Sequence, residues 1–95
     1  VDLIDLRSLL PWDAEAVLTS VKKTGRLVVV CEAPRTLSFA SEVSATVAEK
    51  AIDSLRAPVA RVTGFDTPFP YTLEHVYKPD RQRVANAIEF VAKYD

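Results

Sequence analysis

The feature that most constrains this chain is a change of apolar period on either side of one short run. Arg26-Leu-Val-Val-Val-Cys31 is almost continuously apolar, and a run of that length reads as a strand covered on both faces, as in a parallel sheet. The segments around it are different. From Ala14 the apolar residues fall at helical spacing, with Val17, Leu18 and Val21 on one face. Asp13 stands where a helix N-cap belongs, Lys22 and Lys23 oppose the dipole in the last turn, and Gly25 supplies the stop.

After Cys31 the pattern becomes helical again. Ser38 can cap a second helix, whose buried stripe is Phe39, Val43, Val47, Ala51 and Leu55, with Ala40, Ala48 and Ile52 beside it. Glu42, Glu49, Lys50 and Asp53 mark the wet side. Val59 to Thr63 is another short strand, and Gly64 to Tyr71 is a proline-fixed loop. Asp80 opens a last helix whose apolar face is Val84, Ala87, Ile88 and Val91. Val1 to Leu6 reads as a first strand. Strand and helix thus alternate three times, which implies crossover connections and a helix-covered sheet. The fold class is α/β, a three-layer αβα sandwich with a mainly parallel sheet, and residues 1–95 form one domain.

Charge and cysteine content narrow the functions. Twelve Lys and Arg stand against 13 Asp and Glu, a net charge of -1, so no basic stripe exists to neutralise nucleic-acid phosphates. Leu27 to Cys31 is far too short to span a bilayer, which takes roughly 20 apolar residues. The single cysteine has no disulfide partner within the chain and fits a reducing interior, the cytoplasm or a mitochondrial matrix. The start at Val1, with no methionine anywhere, is expected of a piece of a longer polypeptide.

No complete catalytic set is visible. Cys31 ends the central strand, where ligands gather in open α/β sheets, yet a nucleophilic thiol needs a base and the one histidine, His75, is in another loop. Cys31 is therefore expected to be an inert packing residue. Glu32 and Asp66 both follow strand ends and can be paired carboxylates, but loop capping is the commoner use of such positions. His75, Glu74 and Asp66 lack metal-ligand spacing, and two glycines cannot build a phosphate-binding loop.

Four spaced motifs carry a family resemblance. Asp5-Leu-Arg-Ser-Leu-Leu-Pro-Trp-Asp13, Thr24-Gly-Arg-Leu-Val-Val-Val30, Glu32-Ala-Pro-Arg-Thr36, and Arg61-Val62 followed by Gly64 and Asp66-Thr-Pro-Phe-Pro70 resemble successive segments of the beta subunits of thiamine-diphosphate-dependent 2-oxo acid dehydrogenases. The resemblance implies the transketolase-like C-terminal domain of such a subunit, without its first strand and helix. It implies an α2β2 enzyme that decarboxylates a 2-oxo acid on thiamine diphosphate and magnesium, held by other parts of the assembly. It implies as partners an alpha subunit, a second beta subunit and the peripheral subunit-binding domain of a lipoyl acyltransferase. No catalytic, cofactor-binding or metal residue carries over, and the isolated domain is expected to be inactive.

The wording of the Glu32 and Asp66 motifs leans toward the branched-chain members over the pyruvate ones. Asp66, Tyr94 and Asp95 are the expected docking residues, because carboxylates there would meet basic groups on the acyltransferase. Two departures stand out. Cys31 replaces an expected histidine or glutamine, and Leu37-Ser38 replaces an expected Gly-Gly, which puts the local loop path in question. Other readings are another transketolase-like enzyme, a free-standing interaction domain and an autonomous small enzyme using Cys31 or Glu32.

Overall fold

The structure is a computed structural model that describes residues 2–6, 12–64 and 81–94. Among these residues three α-helices and two strands follow the order α1 (Ala14–Thr24), β1 (Val28–Pro34), α2 (Phe39–Ala51), β2 (Ala60–Gly64) and α3 (Arg81–Lys93).

The start and stop of α1 follow directly from its terminal residues. The Asp13 carboxylate accepts the Ala16 amide proton at 3.0 Å, satisfying one orphan donor of the first turn. Gly25 takes the left-handed conformation (φ 76°) and donates its amide to the Val21 carbonyl at 2.7 Å. Its own carbonyl accepts from the Arg56 amide at 2.7 Å, which ties the end of α1 to the approach of β2.

β1 and β2 pair in parallel, with Val28 opposite Ala60, Val29 opposite Arg61 and Val30 opposite Val62. An irregularity lies between Val30 and Pro34. The two strands are joined through α2 and a 3-10 turn at Ile52–Ser54. Helices α1 and α2 pack together on one face, where Val17, Val21, Val43, Val47 and Ala51 form the core with Val29 and Phe39 against it. Trp12 meets Phe39 edge-on, with ring centroids 5.5 Å apart, and closes the end of that core. α3 packs on β2 and β1. Strand alternation turns Val62 away from Arg61, so the sheet carries helices on both sides and the α/β layering is as expected.

Four expectations are corrected. Asp2 to Leu6 is not in a strand: among the described residues it finds no neighbouring strand to pair with, and Leu3 is 95% exposed. β1 is not covered on both faces, since Val30 is half exposed where α3 lies chiefly over β2. Ile88 is also substantially exposed. Two strands about 4.8 Å apart make a sheet narrower than the apolar face of the helix, leaving Ile88 at its margin. Ala48 and Ile52 are exposed as well. The buried stripe of α2 is Ala40, Val43, Val47 and Ala51, and the tighter winding after Ala51 turns Ile52 outward.

Candidate functional site

The carboxyl ends of the strands are where an α/β fold gathers chemistry; Arg35 lies just past the end of β1, and its partner Arg61 is the second residue of β2. Arg35 follows β1 and donates from Nη1 to the carbonyl of Arg61 at 3.3 Å. Arg61, in β2, returns the contact: its Nη1 donates to the Arg35 carbonyl at 3.2 Å and to the Ser41 hydroxyl at 2.7 Å. The Ser38 and Ser41 hydroxyls donate to the same Arg35 carbonyl at 3.3 and 3.4 Å. The reciprocal contact fastens the loop after β1 to β2 and to the first turn of α2. Ser38 occupies the N-cap position with an extended backbone, but its hydroxyl serves this loop instead of the helix amides.

Leu37 shows how the loop accommodates its departure from Gly-Gly. Its φ is 59°, in the left-handed region, and its side chain is 95% exposed. The backbone thus takes a path suited to glycine, at a cost of roughly 1–2 kcal/mol for a residue with a Cβ.

Cys31 is half-buried in β1 and Glu32 is exposed. His75, Glu74 and Asp66 lie outside the described residues, as does Asp95. Any pairing of Cys31 with His75 or of Glu32 with Asp66 therefore falls outside as well. Among the described residues no three His, Cys, Asp or Glu side chains are grouped so as to hold a metal ion. Gly25 is a helix stop, and neither it nor Gly64 belongs to a glycine-rich loop that could approach a diphosphate. The described residues do not fit a thiamine diphosphate–magnesium site, and no step of the chemistry is assigned to them.

A second surface lies on the outer side of α3. Asn86, Glu89, Phe90, Lys93 and Tyr94 line a shallow open cleft. Phe90 and Tyr94 are both exposed, stack edge-on at 5.8 Å, and stand beside the Glu89–Lys93 ion pair at 2.7 Å. Tyr94, expected as a docking residue, is thus brought together with Phe90. Phe90 escapes the sequence reading because it falls outside the Val84–Ala87–Ile88–Val91 face; its signal is an aromatic four residues before another on a polar helix face.

The α/β layering and the match to the transketolase C-terminal domain, which runs over residues 1–84, agree: the chain belongs to that domain family. Its relatives among curated proteins are beta subunits of 2-oxo acid dehydrogenases. It is 48% identical over 93 residues to the mitochondrial 2-oxoisovalerate dehydrogenase subunit beta 2 of Arabidopsis thaliana, covering 98% of this chain and 26% of that protein. It is 56% identical over 90 residues to a pyruvate dehydrogenase beta subunit of Leifsonia xyli, covering 94% and 27%. It is 48% identical over 90 residues to the 2-oxoisovalerate dehydrogenase subunit beta of Pseudomonas aeruginosa, covering 95% and 26%. The chain therefore spans about a quarter of the length of these relatives. Mitochondrial and bacterial proteins both occur among them, and no described helix is long and apolar enough to cross a membrane.

Proposed function

We propose that this domain serves a branched-chain 2-oxo acid dehydrogenase as the C-terminal part of its beta subunit, joining subunits and docking the acyltransferase core. The observation that carries the reading is the similarity of nearly the whole chain to beta subunits, including the 2-oxoisovalerate members. The whole enzyme is an α2β2 assembly that oxidatively decarboxylates a 2-oxo acid with thiamine diphosphate and magnesium bound elsewhere. This domain by itself is inactive. Its partners are the alpha subunit, the second beta subunit and the peripheral subunit-binding domain of the lipoyl acyltransferase, met in the cytoplasm of a bacterium or in a mitochondrial matrix.

The docking residues are Asp66, Tyr94 and Asp95, with Phe90 added. Tyr94 and Phe90 offer an exposed aromatic pair, the residue type that interface cores favour, with the Glu89–Lys93 pair beside it as a polar rim. Titration of the protein with a purified peripheral subunit-binding domain, and separately with the alpha subunit, tests the proposal. Saturable binding weakened about tenfold by Y94S or F90S, a loss on the scale of an interface aromatic, supports it. A folded protein that binds neither partner removes the docking role.

The 56% identity to a pyruvate dehydrogenase beta subunit favours a second reading, the same role in a pyruvate complex. Turnover of 2-oxoisovalerate against pyruvate by the assembled enzyme separates the two.

A further inference from the structure

We propose that the outer face of α3 is self-complementary and pairs with α3 of a second copy of this chain, the two helices running antiparallel about a two-fold axis. Phe90 and Tyr94 are 53% and 42% exposed and stack edge-on at 5.8 Å, beside the open cleft that they line with Asn86, Glu89 and Lys93. One turn upstream Gln82 donates to Asn86 at 2.8 Å, a polar border to the aromatic pair. An apolar centre with a polar rim is the anatomy of a contact surface.

Charge selects the occupant. At about 100° per residue, Glu89 and Lys93 lie together on one flank of the aromatic pair, where their 2.7 Å ion pair is exposed. A two-fold axis that sets the helices antiparallel brings this flank against the same flank of the other copy. Acid then meets base twice, because Glu89 of each copy faces Lys93 of the other. The same register brings Phe90 of one copy beside Tyr94 of the other, to within about 1.5 Å along the axis, the rise of one residue. A parallel arrangement sets Glu89 on Glu89 and Lys93 on Lys93, which repel. The net charge of -1 leaves little general repulsion between copies. The pairing stands on α3 alone. Only its consequence, that a second copy and the acyltransferase compete for Phe90 and Tyr94, rests on the docking reading.

The test is sedimentation equilibrium of the protein from about 10 µM to about 1 mM, the weak range expected of an interface one helix wide. The parent should be a concentration-dependent dimer. E89K and K93E, both at exposed positions, should each weaken association about tenfold, since each sets like charges across the axis. An equimolar mixture of the two variants should associate more tightly than either alone. Both have lost the ion pair within the helix, so a merely local role for that pair does not produce rescue on mixing. F90S should abolish association in the parent and in the mixture. A parent that stays monomeric, a mixture no tighter than its components, or an F90S protein that pairs like the parent overturns the proposal. Added peripheral subunit-binding domain should dissociate the dimer; a dimer that binds it undisturbed overturns the competition. A dimer that does not bind it strikes the docking reading and leaves the pairing in place.

Discussion

Arg26 and Val91, separated by 65 residues, are joined by a single hydrogen bond: the Arg26 Nε–H donates to the Val91 carbonyl at 2.7 Å. The contact attaches the chain just ahead of β1 to the last turn of α3, where a cation also opposes the helix dipole. Val91 is the one buried side chain among the described residues of α3, so packing alone holds this helix weakly. At its other end the Arg83 Nη2 donates to the Thr63 carbonyl. R26A is expected to destabilise the protein by about 1–2 kcal/mol, as for a hydrogen bond to a charged group. Amide exchange should quicken in α3 more than in α1 or α2. Uniform acceleration across all three helices would contradict this account of α3.

At Gly25 two costs coincide. Its φ is positive, and a Cβ there would meet the Arg56 Cγ at 2.9 Å and the Ser54 carbonyl oxygen at 3.0 Å. G25A is therefore expected to lose about 2–4 kcal/mol, more than the left-handed conformation alone accounts for. Denaturant titration of the variant reads this directly, and an unchanged midpoint would show that the approach of β2 shifts freely.

Leu37 presents the opposite case. It adopts a left-handed φ with no glycine to ease it and exposes its side chain to solvent. L37G relieves the backbone strain but adds freedom to the unfolded chain. A net gain of about 0.5–1 kcal/mol is expected, seen as a rise in the thermal midpoint. A lower midpoint would mean that the Leu37 side chain stabilises the fold in some way that its exposure does not reveal.

Asp2 links the described N-terminal segment to the end of α1. The Ser20 hydroxyl donates to its Oδ2 at 2.8 Å and the Lys23 ammonium approaches at 3.0 Å. The hydrogen bond from Ser20, followed by that from Lys23 and its positive charge, holds the carboxyl below its ordinary value. A carboxyl with a lowered folded-state pKa contributes stability above its unfolded value and loses that contribution as pH falls through the folded value. D2N should thus differ from the parent at neutral pH and low salt. The difference should close below about pH 4 and in high salt, because the pair is exposed. A difference persisting at pH 2 would place the effect elsewhere.

Local chemistry made α1 legible. The N-cap at Asp13, the two lysines of its last turn and the stop at Gly25 act within a few residues, and each takes its expected place. The buried positions of α2 at Ala40, Val43, Val47 and Ala51 follow the same helical spacing. The docking expectation at Asp66 and Asp95 lies outside the described residues. Phe90 joins Tyr94 only because the helix brings positions four apart onto one surface beside a cleft.

Periodicity, caps and glycine positions, all local properties, are enough to determine the alternation of helix and strand over the described residues from α1 onward, and the α/β class. Which faces are covered is a different kind of question, because it depends on neighbours distant in sequence. Asp2 to Leu6 has a strand-like pattern and finds no strand to pair with among the described residues. Val30 and Ile88 have core-like patterns and stay substantially exposed beside the two strands of the described residues. The Arg35–Arg61 contact belongs to the same class. Arginine shows no periodicity that predicts a partner, and only the parallel pairing of β1 with β2 brings these two residues, 26 positions apart, within reach of each other.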